Sequence, residues 1–158
     1  MEANNQQRVV EVIPGILEKD LKSIKNRVEF LKPHASLFHL DVMDGQFVPQ
    51  KTYLSAEGLD AIPAEWEIHL MITKPEFFVR RFCLKNTRRI IVHFEAARNF
   101  FEVIRLIKAE GKEVAVAVNP ETFVHTIQDV FSLIDTVTVM GVDPGASGQK
   151  LKSEVVGK

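Results

Sequence analysis

Cysteine is nearly absent from this 158-residue sequence, with Cys83 standing alone. That excludes an internal disulfide framework and suits a reducing compartment. An excess of charge of either sign is also missing. Twenty Lys and Arg face 21 Asp and Glu, a formal net charge of −1, which exerts no long-range pull on nucleic acid or an anionic membrane. The basic residues are scattered, apart from the pairs Arg80-Arg81 and Arg88-Arg89. No apolar run approaches the about 20 residues of a membrane span. The opening MEANNQQRVV is polar and lacks the apolar centre of a secretory signal. These absences lead to the expectation of a cytoplasmic chain forming one domain over 1–158, frayed at 1–7, with neither nucleic acid nor membrane as partner.

What the sequence does hold is enough apolar material for a core, 46% hydrophobic against 26% charged. Apolar runs alternate with helical patterns about six times. Strands are expected at 9–13, 36–43, 66–72, 89–94, 113–118 and 134–142. Helices are expected at 18–31, 55–59, 75–84, 99–110 and 121–131, with another beginning after 150. Strands apolar on both faces, alternating with helices, imply a parallel sheet covered by helices. Two closures are open, a doubly wound sheet or a (β/α)8 barrel. No GxGxxG follows the first strand, which weakens a dinucleotide-binding reading. Polar residues gather instead at strand ends, where barrels carry their chemistry.

The stretch SLFHLDVMDGQFVPQ at 36–50 is the most informative. His39 and Asp41 interrupt an apolar run at i and i+2, so a strand places both on one face. Buried there, they cost free energy unless something satisfies them. A mutual hydrogen bond is the plain explanation, but His69 repeats the oddity in EIHLMI. If those strands are neighbours, two imidazoles and a carboxylate converge, a donor set suited to zinc, iron, manganese or cobalt. His93 competes as a ligand, and Glu95 is expected to point away from it. His34 and His125 read as surface positions. The turn at 143–150, DPGASGQK, offers backbone N–H groups that can hold a phosphate. Met43, Met71 and Met140 close three strands and suggest an apolar collar, although methionine is commonly core filler.

At these residues the chain resembles the ribulose-phosphate 3-epimerase family. The likeness rests on His39-Leu40-Asp41-Val42-Met43-Asp44-Gly45 with Phe47-Val48-Pro49, and on His69-Leu70-Met71. It continues through Asn119-Pro120, Met140, Val142-Asp143-Pro144-Gly145 and Gly148-Gln149-Lys150, in register across 9–150. The resemblance implies a (β/α)8 TIM-barrel fold that interconverts ribulose 5-phosphate and xylulose 5-phosphate with a bound divalent metal. It implies His39, Asp41 and His69 as metal ligands, with Asp41 also an acid/base carboxylate. His69, Gly145, Ala146, Ser147 and Gly148 would meet the substrate or its phosphate, and the methionines would keep water from the intermediate.

Some positions depart from the family pattern. Gly15 stands where the family has a serine, and Ala146 and Ser147 stand where it has Phe and Gly. The family's second catalytic aspartate, also its fourth metal ligand, belongs to a seventh strand. The expectation is therefore an incomplete barrel of about six βα units, shortened at its C-terminus, with open edges at strands 1 and 6 and impaired activity. A homo-oligomer is compatible with such edges. Other readings are a non-catalytic metal- and phosphate-binding remnant, or another phosphate-binding barrel enzyme. The aldolase branch of the latter lacks a Schiff-base lysine on strands 2 to 6.

Overall fold

A computed structural model describes residues 10–157, so the segment expected to fray at 1–7 lies outside the described residues. Six strands form one parallel sheet: β1 (Gly15–Ile16), β2 (Leu37–Met43), β3 (Glu65–Met71), β4 (Thr87–His93), β5 (Glu113–Val118) and β6 (Thr136–Val139). Their spatial order is their chain order, and every neighbouring pair is parallel. A doubly wound sheet reverses its strand order at a switch point, and this sheet never does. The architecture is an incomplete (β/α)8 barrel, with β1 and β6 as the sheet's edges among the described residues.

The even-numbered residues of β2 to β5 build the main core. Phe38, Leu40, Val42, Trp66, Ile68, Leu70, Ile90, Val92, Val114 and Val116 all pack on the helical side. Against them lie α1 (Leu21–Leu31), α2 (Val79–Phe82) and α3 (Phe100–Ala109). Asp20 caps α1 by accepting from the Ser23 N–H at 2.9 Å, and the helix buries Ile24 and Val28. Asn99 caps α3 through the Glu102 N–H, and α3 buries Val103, Ile104 and Ile107. Among the described residues no helix is long and apolar enough to cross a membrane.

Several elements differ from the sequence expectation. The first strand lies at 15–16, not 9–13, and Val10 and Val12 are exposed. Pro14-Gly15 is where pairing begins: the Pro14 carbonyl accepts from His39 N–H at 2.9 Å. No helix forms at 55–59. There Ser55 Oγ accepts from the Glu57 N–H, and a 3-10 turn follows at Leu59–Ala61. The helix expected over 75–84 splits into a 3-10 turn at Pro75–Phe77 and the single turn of α2. Residues Val124–Leu133 wind as 3-10 helix, and their two buried residues, Ile127 and Val130, have its three-residue spacing. The sixth strand keeps only four of the nine residues expected, because as an edge it pairs on one side alone.

Candidate active site

The odd-numbered residues of β2 to β5 face the other way, toward the barrel interior, and the register sorts them into levels. The first holds His39, Glu67, Arg89 and Glu113; the second holds Asp41, His69, Ile91 and Ala115. The third holds Met43 beside Met71 and His93 beside Ala117. The strand order thus turns an alternation within each segment into a stack of polar side chains.

His39, Asp41 and His69 meet where the first two levels touch. His39 Nε2 lies 3.1 Å from Asp41 Oδ1 and 3.3 Å from His69 Nδ1. His69 Nδ1 lies 3.0 Å from the same Asp41 oxygen. One donor atom from each residue falls within 4.8 Å of the others, close enough to hold a metal ion. Two nitrogens and one oxygen in this arrangement fit a borderline divalent cation. The sequence expectation that these three converge is met.

Electrostatics divides the trio. Burial opposes charge on His39, but hydrogen bonds to Asp41 and Glu67 outweigh it and raise its pKa to about 9. Burial likewise disfavours an ionised Asp41, yet the two imidazoles hold its carboxyl well below the usual carboxylate range. His69 is lowered to about 4, mainly by burial, despite its bond to Asp41. The metal-free site is therefore an ionised carboxylate between a protonated and a neutral imidazole.

The surrounding residues hold these side chains in place. Thr52 Oγ1 donates to the Asp41 carbonyl at 2.6 Å and accepts from the Met43 N–H at 2.9 Å. Asp44 accepts from the N–H groups of Gln46, Phe47 and Thr73, fastening the loop after β2 to the end of β3. The Phe47 ring then reaches His93, with centroids 4.9 Å apart. His93 is fully buried and stacks on His69, their Nε2 atoms 2.9 Å apart. Its Nδ1 lies 3.5 Å from Glu95 Oε2. The expectation that Glu95 points away from His93 is corrected here: two residues apart, the pair would share a face of a strand, and Glu95 stays beside His93 in the 3-10 turn at Phe94–Ala96 that follows β4. Glu95 is buried enough to resist ionisation, but bonds from His93, Thr122 and Asn119 bring its pKa down to about 2. His34 and His125 are exposed, as expected.

Above the trio lies a cavity of about 200 Å³. Its lining includes the trio, Met43, Met71, Met140, Gly145, Ala146 and Ser147. Gly148 is not among the lining residues. The turn is shaped by Gln149, whose side-chain amide donates to the carbonyls of Asp143 and Ala146. Gly145 has φ +112°, and a Cβ there would lie 2.7 Å from Gln50 Oε1, so only glycine lets the two loops approach. Glu67, Arg89 and Thr52 were not singled out from the sequence, and Asp44 was read only as part of the turn and motif that follow β2. The available signal for Glu67 was its i−2 spacing from His69.

The model of the ribulose-phosphate 3 epimerase family matches residues 11–158. The chain belongs to this family. Ribulose-phosphate 3-epimerase of Bacillus subtilis is 35% identical over 95% of the chain and 71% of its own length. The Chlamydia trachomatis epimerase is 37% identical over 98% of the chain and 68% of its own length. That of Treponema pallidum is 30% identical over 96% and 72%. The chain thus spans about seven-tenths of these epimerases. Membership in the ribulose-phosphate 3-epimerase family makes the chain an enzyme of the isomerase class by descent. The cavity over the trio is lined by residues at the C-terminal ends of the strands and in the loops after them, the side on which barrels of this type work.

Proposed function

We propose that the chain epimerises C3 of a pentulose phosphate, interconverting ribulose 5-phosphate and xylulose 5-phosphate. The observation that carries this is the inward trio of His39, Asp41 and His69 within 4.8 Å of one another, beneath a glycine-bearing turn. Inverting a carbon beside a carbonyl requires removing a proton from one face and returning one to the other. Asp41 is the acid/base on one face, since its ionised carboxylate lines the cavity. The proton for the opposite face comes from the second acid/base carboxylate, which the family carries on a seventh strand. His39 and His69 hold a divalent cation (zinc, iron, manganese or cobalt) together with Asp41. When bound, it supplies Lewis acidity to the oxygens that gain negative charge as the proton leaves. The N–H groups of Gly145, Ala146 and Ser147 receive the phosphate, and Met43, Met71 and Met140 exclude water that would protonate the enediolate. A small sugar phosphate is the partner, and a reducing cytoplasm suits the single thiol.

Asp41→Asn keeps the shape of the side chain and removes the base. Turnover followed with the metal-loaded chain should fall by at least about 100-fold, the scale of general base catalysis. Undiminished epimerisation would refute the assignment.

A second reading is binding without turnover. It is favoured by the carboxylates of the cavity: among the described residues lining it, these are only Asp41 and Asp143, and Asp143 is tied to Lys152 at 2.6 Å. Metal and phosphate binding with no exchange of the C3 proton into heavy water would select that reading.

A further inference from the structure

The first level of the inner face carries more charge than the proposed chemistry uses. Glu67, Arg89 and Glu113 follow His39 across three neighbouring strands. The Glu67 side chain is 9% exposed and that of Arg89 15%. Burying such a pair costs desolvation that two apolar side chains would not. Its geometry has a direction. Glu67 Oε1 lies 2.7 Å from His39 Nδ1, and its other oxygen, Oε2, lies 2.5 Å from Arg89 Nη1. Arg89 is anchored in turn by Glu113, at 2.8 and 3.0 Å. Each oxygen of Glu67 therefore serves a different donor.

We propose that Glu67, pinned by Arg89, is a positioning residue that holds the Nδ1–H of His39 and so reserves Nε2 for the metal. This rests on the metal site proposed above. An imidazole that carries its hydrogen on Nδ1 presents its lone pair at Nε2, the nitrogen facing Asp41 and His69. The other tautomer would put a hydrogen where the cation must sit. Fixing the ring through its remote nitrogen is how metal-binding histidines are generally oriented.

The division of the two oxygens makes a distinctive prediction. Glutamine has one oxygen. In Glu67→Gln, the permanently charged Arg89 takes it, which turns the amide N–H toward His39. The ring must then accept at Nδ1 and hold its hydrogen on Nε2. Removing Arg89 as well, in Glu67→Gln with Arg89→Met, frees the oxygen to turn back to His39.

The test is zinc affinity of the full 158-residue chain by competition with a chromophoric chelator, with ¹⁵N-histidine spectra of the zinc-loaded wild type. Glu67→Gln should weaken zinc about 10- to 100-fold, and the double variant should recover most of that loss. A purely structural role predicts the opposite order, with the double variant worse. The inference is overturned if Glu67→Gln binds zinc as the wild type does, or if adding Arg89→Met restores nothing. The wild-type spectrum decides without any variant: zinc on Nε2 of His39 with a hydrogen on Nδ1 supports the inference, and zinc on Nδ1 overturns it. A wild type that binds no zinc refutes the metal site itself, a different failure.

Discussion

His39 is where a proton and a metal compete for one nitrogen. With its pKa raised to about 9, it carries hydrogens on both nitrogens at neutral pH in the metal-free protein. The one on Nε2 must leave before a cation binds. Metal affinity should therefore rise about tenfold per pH unit from 7 to 9 and level off above. His69, lowered to about 4, is already neutral and adds no slope. Calorimetry in buffers of different ionisation enthalpy should count close to one proton released per metal at pH 7, and none released would contradict the account. The same shift stabilises the metal-free fold fully below the ordinary value of 6.5, a contribution lost as pH rises through 9. The trio was legible in the sequence because each member interrupts an apolar strand, and the two-residue period fixes its face. Glu95 was misplaced against that rule, since a residue two positions after His93 belongs on the same face, and the structure puts it beside His93.

At the scale of elements, the side chain of Asn86 ties the loop between β2 and β3 together. Its Nδ2 donates to the carbonyls of Leu59, Ile62 and Ala64 at 3.0 to 3.2 Å. The Trp66 indole N–H adds a bond to Leu59. This network lies beyond the helix expected over 55–59 and satisfies carbonyls of the 3-10 turn and of the residues leading into β3. Asn86→Ala should cost about 1–3 kcal/mol, the penalty for stranding buried acceptors. Urea denaturation checks this, and a loss below about 0.5 kcal/mol would place Asn86 among ordinary surface positions. Such a network was not legible beforehand, because Asn86 reads as a loop residue and its partners lie 22 to 27 positions away. The central strands were legible to within one or two residues at each end. Their runs are long and apolar, whereas β1 and β6 are edges whose extent depends on a single neighbour.

For the molecule as a whole, the parallel sheet separates two environments. Its outer face joins the helices in one continuous apolar core, and its inner face collects histidines, carboxylates and an arginine. The barrel-type winding was open in the residue pattern, which admits two closures, and the sequential strand order decided it. The inner ladder of Glu67, Arg89 and Glu113 escaped notice because a charge near the start of a strand reads as solvent-facing until neighbouring strands are placed beside it. The central claim is that strands β2 and β3 bring three side chains onto one cation. The most direct test is a zinc titration of the wild-type chain beside a variant carrying His39→Ala and His69→Ala. The account predicts one zinc per wild-type chain and loss of that binding in the variant. Equal binding by the two proteins, or none by the wild type, would contradict it.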